Sequence, residues 1–498
     1  MADPISATIA AVVKIGTAVV AAYKASAVVR AVIHIAAMIA TSMISQALAA
    51  KPGKIDQGQE LRLKLDPGMP RQIAVGETAT GGSQAFAFTY GSTNDVPNRY
   101  LVRIIALSDR PADGVVKIMA GEDQLSFSGS VTNGLAACNQ FKSKNGESKF
   151  HLQVVLGSDN PTAVQWLVNA SGGLWTPQHK GTGLCYAIQR SDYDPDAFPN
   201  GEPELTFILR GAKLYDERDS VANGGTHVLG DESTYQWDEN ASVLATNLLR
   251  GFYTNNSLIL GAQANDLDFD LPATIAAHNT CDQTVSLTNG TTERRYRAGM
   301  MLTASESVAT MLQDLKNAMD GEILDRNGRI CLLPGGIRTP VLDLNDEDID
   351  WTAEKSYQPV ASLSSLYNRV TGNYVPKALN YAQDSYPIQR DPAYEAEDGG
   401  ERISLSQDYR AVTSDSQIQR ITMRVLKASR FQKVVAFTGP FYLYELQQGD
   451  WFTLTSARWN MAAKYFNVKS CVLTPDLKVV VVAVETSPVV DGWGPAYE

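Results

Sequence analysis

Residues 198–218 constrain the fold more than any other stretch of this chain. A Pro/Gly turn opens the segment, and Leu205, Phe207 and Leu209 then alternate with Thr206, Ile208 and Arg210. A period of two sends successive side chains to opposite faces of a strand, so one face should be wetter than the other. Gly211 and Ala212 offer a tight corner, and residues 213–216 read as the start of a second short strand. The spacing predicts a β-hairpin over 205–216.

Short strands of the same kind recur. Candidates lie at 84–90, 100–107, 115–119 and 151–156, with a turn at 109–114. Leu61, Leu63 and Leu65 alternate with Arg62 and Lys64 ahead of Asp66-Pro67-Gly68. Asp159-Asn160-Pro161 precedes Ala163, Val164, Leu167 and Val168, which have the spacing of a short helix. Three clearer helices are expected further on. Asp238 can cap one that carries Val243, Leu244 and Leu248 and stops at Gly251; Pro272 opens a second that runs to about Cys281. In the third, Thr303 and Glu306 form a capping box ahead of Val308, Met311, Leu312, Leu315 and Met319, with Gly321 as the stop. That stripe reads as core packing.

At 498 residues the chain exceeds one core, and three or four domains are expected. A composition change after Lys51-Pro52-Gly53 sets the first boundary, and the run of expected strands and helices divides the chain into 1–52, 53–235, 236–340 and 341–498. Hydrophobic residues at 44% and charged ones at 19% suffice for a packed interior. The formal net charge of −11 argues against a surface built to coat nucleic acid, although such a balance is ordinary for a soluble protein.

The N-terminal residues 5–50 stand apart. They are mainly Ala, Val, Ile, Met, Ser and Thr, broken by Lys14, Lys24, Arg30 and His34, and predict one or two long helices. Three readings compete for them. Self-association of identical helices at an oligomer axis ranks first, because small residues allow close approach. Membrane insertion ranks second on length. A signal peptide ranks last, since Asp3 stands where a basic n-region belongs.

Catalytic signatures are missing. The five histidines (His34, His151, His179, His227, His278) fall in no metal-ligand spacing, and no GxSxG, P-loop or GxGxxG occurs. A Cys–His hydrolase from Cys185 with His179 or His227 is conceivable, but nothing near Cys185 would activate a thiol. The five cysteines (Cys138, Cys185, Cys281, Cys331, Cys471) are scattered and odd in number, and read as buried free thiols. Asp192, Asp194 and Asp196 begin like a calcium loop, but Ala197 replaces the needed glycine and Pro203 the bidentate glutamate. Asp343, Asp346, Glu347, Asp348 and Asp350 form a denser acidic run without that grammar. Both read as solvated turns. No catalytic, cofactor-binding or metal residue is assigned.

Several segments together resemble one family. Arg210-Gly211 followed by Tyr215-Asp216 and Arg218, residues 71–76 and the strand at 100–107 are similar to segments of the central tail-tip protein, or baseplate hub, of lambda-like long-tailed phages. So are Trp237 and Asn240-Ala241 with Leu244 and Leu248, Cys281-Asp282 with Arg295-Tyr296, and Pro334-Gly335. Tyr367-Asn368 with Gly372, Tyr374 and Pro376, the helix within 416–430 and Gly449-Asp450 complete the order. The resemblance runs from about residue 60 to 490.

This resemblance implies a mainly β fold with α+β domains: a multidomain tail hub with β-barrel-like, tube-forming parts and an N-terminal helical segment. It implies a structural, non-enzymatic virion protein at the tail tip, made in the host bacterial cytoplasm and joining tail tube to host-recognition apparatus. Three copies would contact the distal tail protein, the tape-measure protein and tail-fibre proteins. Phage DNA would pass through without specific binding, and residues 5–50 could touch the host membrane. Family members usually continue into fibronectin-like and receptor-binding regions, so receptor recognition is not carried over. An adhesin or fibre anchor that binds a surface glycan is the alternative.

Overall fold

The computed structural model describes residue 63 and residues 69–91, 98–360 and 366–492. The helices expected within 5–50 lie outside them, as does the strand at 61–65 apart from Leu63. The protein is mainly β. Several sheets accompany six α-helices among the described residues: α1 (Gln165–Ala170), α2 (Ala241–Arg250), α3 (Leu271–Cys281), α4 (Val308–Ala318), α5 (Pro392–Glu397) and α6 (Asp415–Ala428).

Two antiparallel sheets open the chain. The first orders Ser83–Tyr90, Tyr100–Ser108, Cys185–Asp192, Phe150–Val155, Ala136–Cys138 and Phe127–Ser128; the second orders Glu77–Thr80, Leu205–Arg210, Gly114–Ala120 and Asp123–Gln124. Ile105, Leu107, Val154 and Ala187 of the first meet Ile118, Leu205, Phe207 and Leu209 of the second in one core. Alternation gives each strand an apolar face, and two such faces stack to exclude water. The other face of the first sheet packs Val102, Ile104 and Ile188 against Leu167 of α1.

The strand at 205–210 forms as its alternation predicts, but the hairpin does not. Its partners are Glu77–Thr80 and Gly114–Ala120, while Leu214 makes only an isolated bridge to Gln236. Gly211 explains the departure. A Cβ there would lie 2.3 Å from the Ala74 carbonyl oxygen, which instead accepts the Ala212 N–H at 2.8 Å. The chain leaves the sheet by backbone contact that only glycine permits. The expected wetter face holds at Thr206 and Arg210, the only residues of the strand that are not buried, but Ile208 is covered by Ala79, Met119, Val375 and Tyr381.

Strand Gln72–Val75 pairs with Met300–Thr303 and so ties the first sheets to the middle of the chain. There Val243, Leu244 and Leu248 of α2, Met311 and Leu315 of α4, and Ile418 and Ile421 of α6 share a core. The caps differ from expectation. Asn240 caps α2 by accepting the Ser242 and Val243 N–H groups, whereas Asp238 accepts those of Glu239 and Asn240 just upstream. Ser307 caps α4, because Thr303 ends a strand and Glu306 is held by Arg410. Pro272 sits in the first turn of α3 as its position predicts.

The last sheet orders Leu342–Asn345, Trp451–Ser456, Met461–Leu473, Val479–Thr486, Val434–Gly439 and Ser356–Gln358, with only its first pair parallel. Phe437, Phe452, Phe466 and Val481 fill its core. Among the described residues no helix is long and apolar enough to cross a membrane.

Candidate functional site

The candidate residues of the sequence do not converge. Cys185 is wholly buried, and burial pushes its thiol up to about 12. His179 bonds Thr176 through Nδ1 and stacks near Trp175, while His227 Nδ1 accepts the Asp216 N–H. Neither ring contacts Cys185 among the described residues. Asp192 takes a forked pair of bonds from Arg99, at 2.5 and 2.6 Å, and one from Lys149 at 3.0 Å. Asp194 accepts the Asp196 N–H, and Asp196 pairs with Lys144. In the acidic run, Asp343 bonds Thr453, Asp346 bonds Ser456, Asp348 bonds Tyr442 and Asp350 bonds Lys478. The Glu347 N–H donates to Asn345. Apart from Glu347, which is held only through its backbone N–H, each carboxylate turns to its own partner, and neither group encloses a shared point.

A tighter constellation forms where the 198–218 segment ends. Having left the sheet at Gly211, the chain lies against α2, whose Asn247 grips Tyr215. Asn247 Oδ1 accepts the Tyr215 N–H at 2.9 Å, and its Nδ2 donates to the Tyr215 carbonyl at 2.8 Å. This grip delivers Asp216, Glu217 and Arg218 between α2 and α3. Glu217 accepts from Arg250 of α2 and lies 2.6 Å from Nε2 of His278 in α3. Arg218 forks onto Asp216 and reaches Asp282 at 2.7 Å. Arg250 continues to Asp266 at 2.8 Å and lies over the rings of Tyr215 and Phe269. His278 Nδ1 is 2.7 Å from Ser242, and Asn240 Nδ2 donates to the His278 carbonyl.

Burial sets the electrostatics. Glu217 is 3% exposed and His278 fully enclosed. Burial alone would raise the Glu217 carboxyl, but the His278 hydrogen bond and the Arg250 charge outweigh it and hold the group at about 2. Asp216 is likewise held below its usual range, with burial overcome by the Arg218 fork. Ligand atoms of Asp216, Glu217 and His278 lie within 4.8 Å of one another, close enough to share a cation. Arg218 and Arg250 already supply that positive charge from fixed positions, so the arrangement is a clamp that locks a loop to two helices.

A second polar tie joins distant parts. Tyr381, buried and at φ +65°, donates its hydroxyl to Glu77 at 2.6 Å, with Lys377 at 2.7 Å from the same carboxylate. Asn380 beside it accepts from Lys117. The first sheets are thereby bolted to residues some three hundred positions later.

Comparison with known proteins bears on what such a locked frame is for. Residues 307–464 match a family profile described as "Putative phage tail protein". This segment is similar to that phage tail protein family. The matched segment runs from the start of α4 through α6 into the long strand of the last sheet. A chain from the virion of a native gene transfer agent particle shares the fold, with TM-score 0.56 and 16% identity over 90% of both chains. The 43 kDa tail protein of prophage MuSo2 from Shewanella oneidensis aligns at TM-score 0.28 and 8% identity, over 85% of this chain and 95% of that one. Prophage tail protein gp18 from Listeria monocytogenes EGD-e aligns at 0.24 and 10%, over 81% and 89%. No curated protein matches the sequence.

Proposed function

We propose that the chain is a structural virion protein forming the central hub at the distal tip of a long tail. In this reading it joins the tail tube to the host-recognition apparatus and forms or closes the DNA exit channel. The observation that carries the proposal is the fold shared with a virion chain over nine-tenths of both proteins, with the matched segment inside it.

An unprotected edge supports assembly into a ring. Strand Ser83–Tyr90 pairs on one side only among the described residues; its eight residues include no proline and no charge, and the register shift between Gln84 and Phe86 is its one blunting feature. Sheets that remain solitary blunt such edges with charges, prolines or bulges. In a threefold ring a neighbouring copy covers the edge instead. The distal tail protein, the tape-measure protein and fibre proteins are the expected partners. Residues 53–235, 236–340 and 341–498 are the hub's successive units, and residues 5–50 an axial plug able to meet the host membrane. The function is mechanical and involves no turnover.

One observation favours an adhesin as the second reading. Phe441, Tyr442 and Tyr444 are about half exposed on one short helical turn, the kind of aromatic surface that stacks on sugar rings. Light scattering on the purified chain separates the two. A hub gives three times the 54.0 kDa chain mass, whereas a soluble monomer that binds host glycan favours the adhesin.

A further inference from the structure

A cavity of about 350 Å³ opens beside α6, lined by Ser286, Arg295, Arg420, Arg424 and Asp491 among others. Its volume falls in the range of small binding pockets, roughly 300–1,000 Å³. Two of its three arginines are spoken for. Arg420 bonds Glu293, Ser416 and the Arg295 carbonyl; Arg424 bonds Asp320 and Asp491. Arg295 differs. Its guanidinium has no hydrogen bond or ion pair among the described residues, and its Nε is buried. Asp491 is half satisfied. Oδ1 accepts Arg424 Nε at 2.6 Å, while Oδ2 is buried with no partner, on a side chain 2% exposed.

An unmet cation and an unmet acceptor thus line one cavity. Buried polar groups left unpaired are costly and uncommon in folded proteins, so the pair specifies a complement. A carboxylate matches the planar fork of Arg295. The spare Asp491 oxygen requires an N–H or O–H donor. Free phosphate answers Arg295 but at neutral pH carries up to two negative charges beside Asp491, against one on a carboxylate, and water answers Asp491 but leaves Arg295 unneutralised. A peptide bearing an acidic side chain carries both groups a residue or so apart.

We propose that this cavity is a socket for an acidic peptide segment of another virion protein, its carboxylate on Arg295 and a backbone N–H on Asp491 Oδ2. The nature of the partner rests on the virion reading above. The chemistry of the socket does not.

The test titrates the full purified chain with acetyl-Gly-Asp-Gly-Asp-Gly-amide, with its Asn counterpart and with inorganic phosphate, followed by calorimetry. The acidic peptide should bind about tenfold tighter than the Asn peptide or phosphate, a difference of about 1.4 kcal/mol. Arg295→Gln should abolish that preference while leaving the melting temperature unchanged, since Arg295 gives up no internal partner. Equal binding of phosphate reduces the cavity to a general anion site and overturns the proposal. So does acidic-peptide binding that survives Arg295→Gln, or none up to about 1 mM. A threefold ring that ignores the peptide sinks the socket and leaves the hub; a monomer that binds it does the opposite.

Discussion

Glu217 Oε2 and His278 Nε2 lie 2.6 Å apart across 61 residues of sequence, both buried, and Arg250 holds the other Glu217 oxygen. This contact closes the path from the second sheet to the helical core, because the chain reaches Glu217 only by leaving the strand at Gly211. A buried ion pair broken on one side leaves the other charge stranded.

Glu217→Gln should therefore lower unfolding stability by about 3 kcal/mol, chiefly by leaving buried Arg250 with only the part-exposed Asp266 as its counter-charge. Urea unfolding of the two proteins measures the difference. A loss below about 1 kcal/mol would show that the clamp adds little beyond packing.

The same residue sets an acid limb. Its folded carboxyl sits at about 2 against an ordinary 4.5, so the group binds fewer protons folded than unfolded. Its contribution is fully present above pH 4.5, declines as pH falls and is gone below about 2. The shift is equivalent to about 3 kcal/mol. Melting temperature against pH should fall more steeply from 4.5 downward in the wild type than in Glu217→Gln. Parallel curves would contradict the assignment.

Tyr381→Phe should cost about 1–3 kcal/mol, because Glu77 loses a buried donor and keeps only Lys377, which is half exposed. Glu77→Gln combined with Tyr381→Phe should recover part of that loss, since the charge to be satisfied is gone. A double-mutant cycle without coupling would separate the two residues.

Much of this fold can be read from the chain. The strands at 100–108 and 114–120 and the stripe of α4 follow from periodicity, since each side chain's environment is set by its neighbours in sequence. Local spacing misled where a distant group decided the outcome. Gly211 reads as a turn residue, yet it is fixed by the Ala74 carbonyl; Ile208 reads as half wet, yet Tyr381 covers it. Thr303 and Glu306 have capping-box spacing but were claimed by a strand and by Arg410. The Asp216–Glu217–Arg218 cluster left one signal: it opens a run of four consecutive charges, Asp216 to Asp219, directly after Tyr215. Its partners on α2 and α3 could be found only in three dimensions.

Cys185 and Cys281 are fully buried with thiols pushed up to about 12, and half-buried Cys471 reaches about 11. The native protein at pH 8 should leave Cys185 and Cys281 unmodified by a thiol reagent and label Cys471 slowly, whereas all five free cysteines should react on unfolding. Rapid native labelling of Cys185, or cell-wall hydrolysis abolished by Cys185→Ala, would revive the enzyme reading.

The central claim is position in the particle. Low-resolution electron imaging of purified particles carrying a labelled copy of the chain tests it directly. The account predicts threefold density on the tail axis at the distal end. Label on the side of the tail, away from the axis, or absent from particles altogether would contradict it.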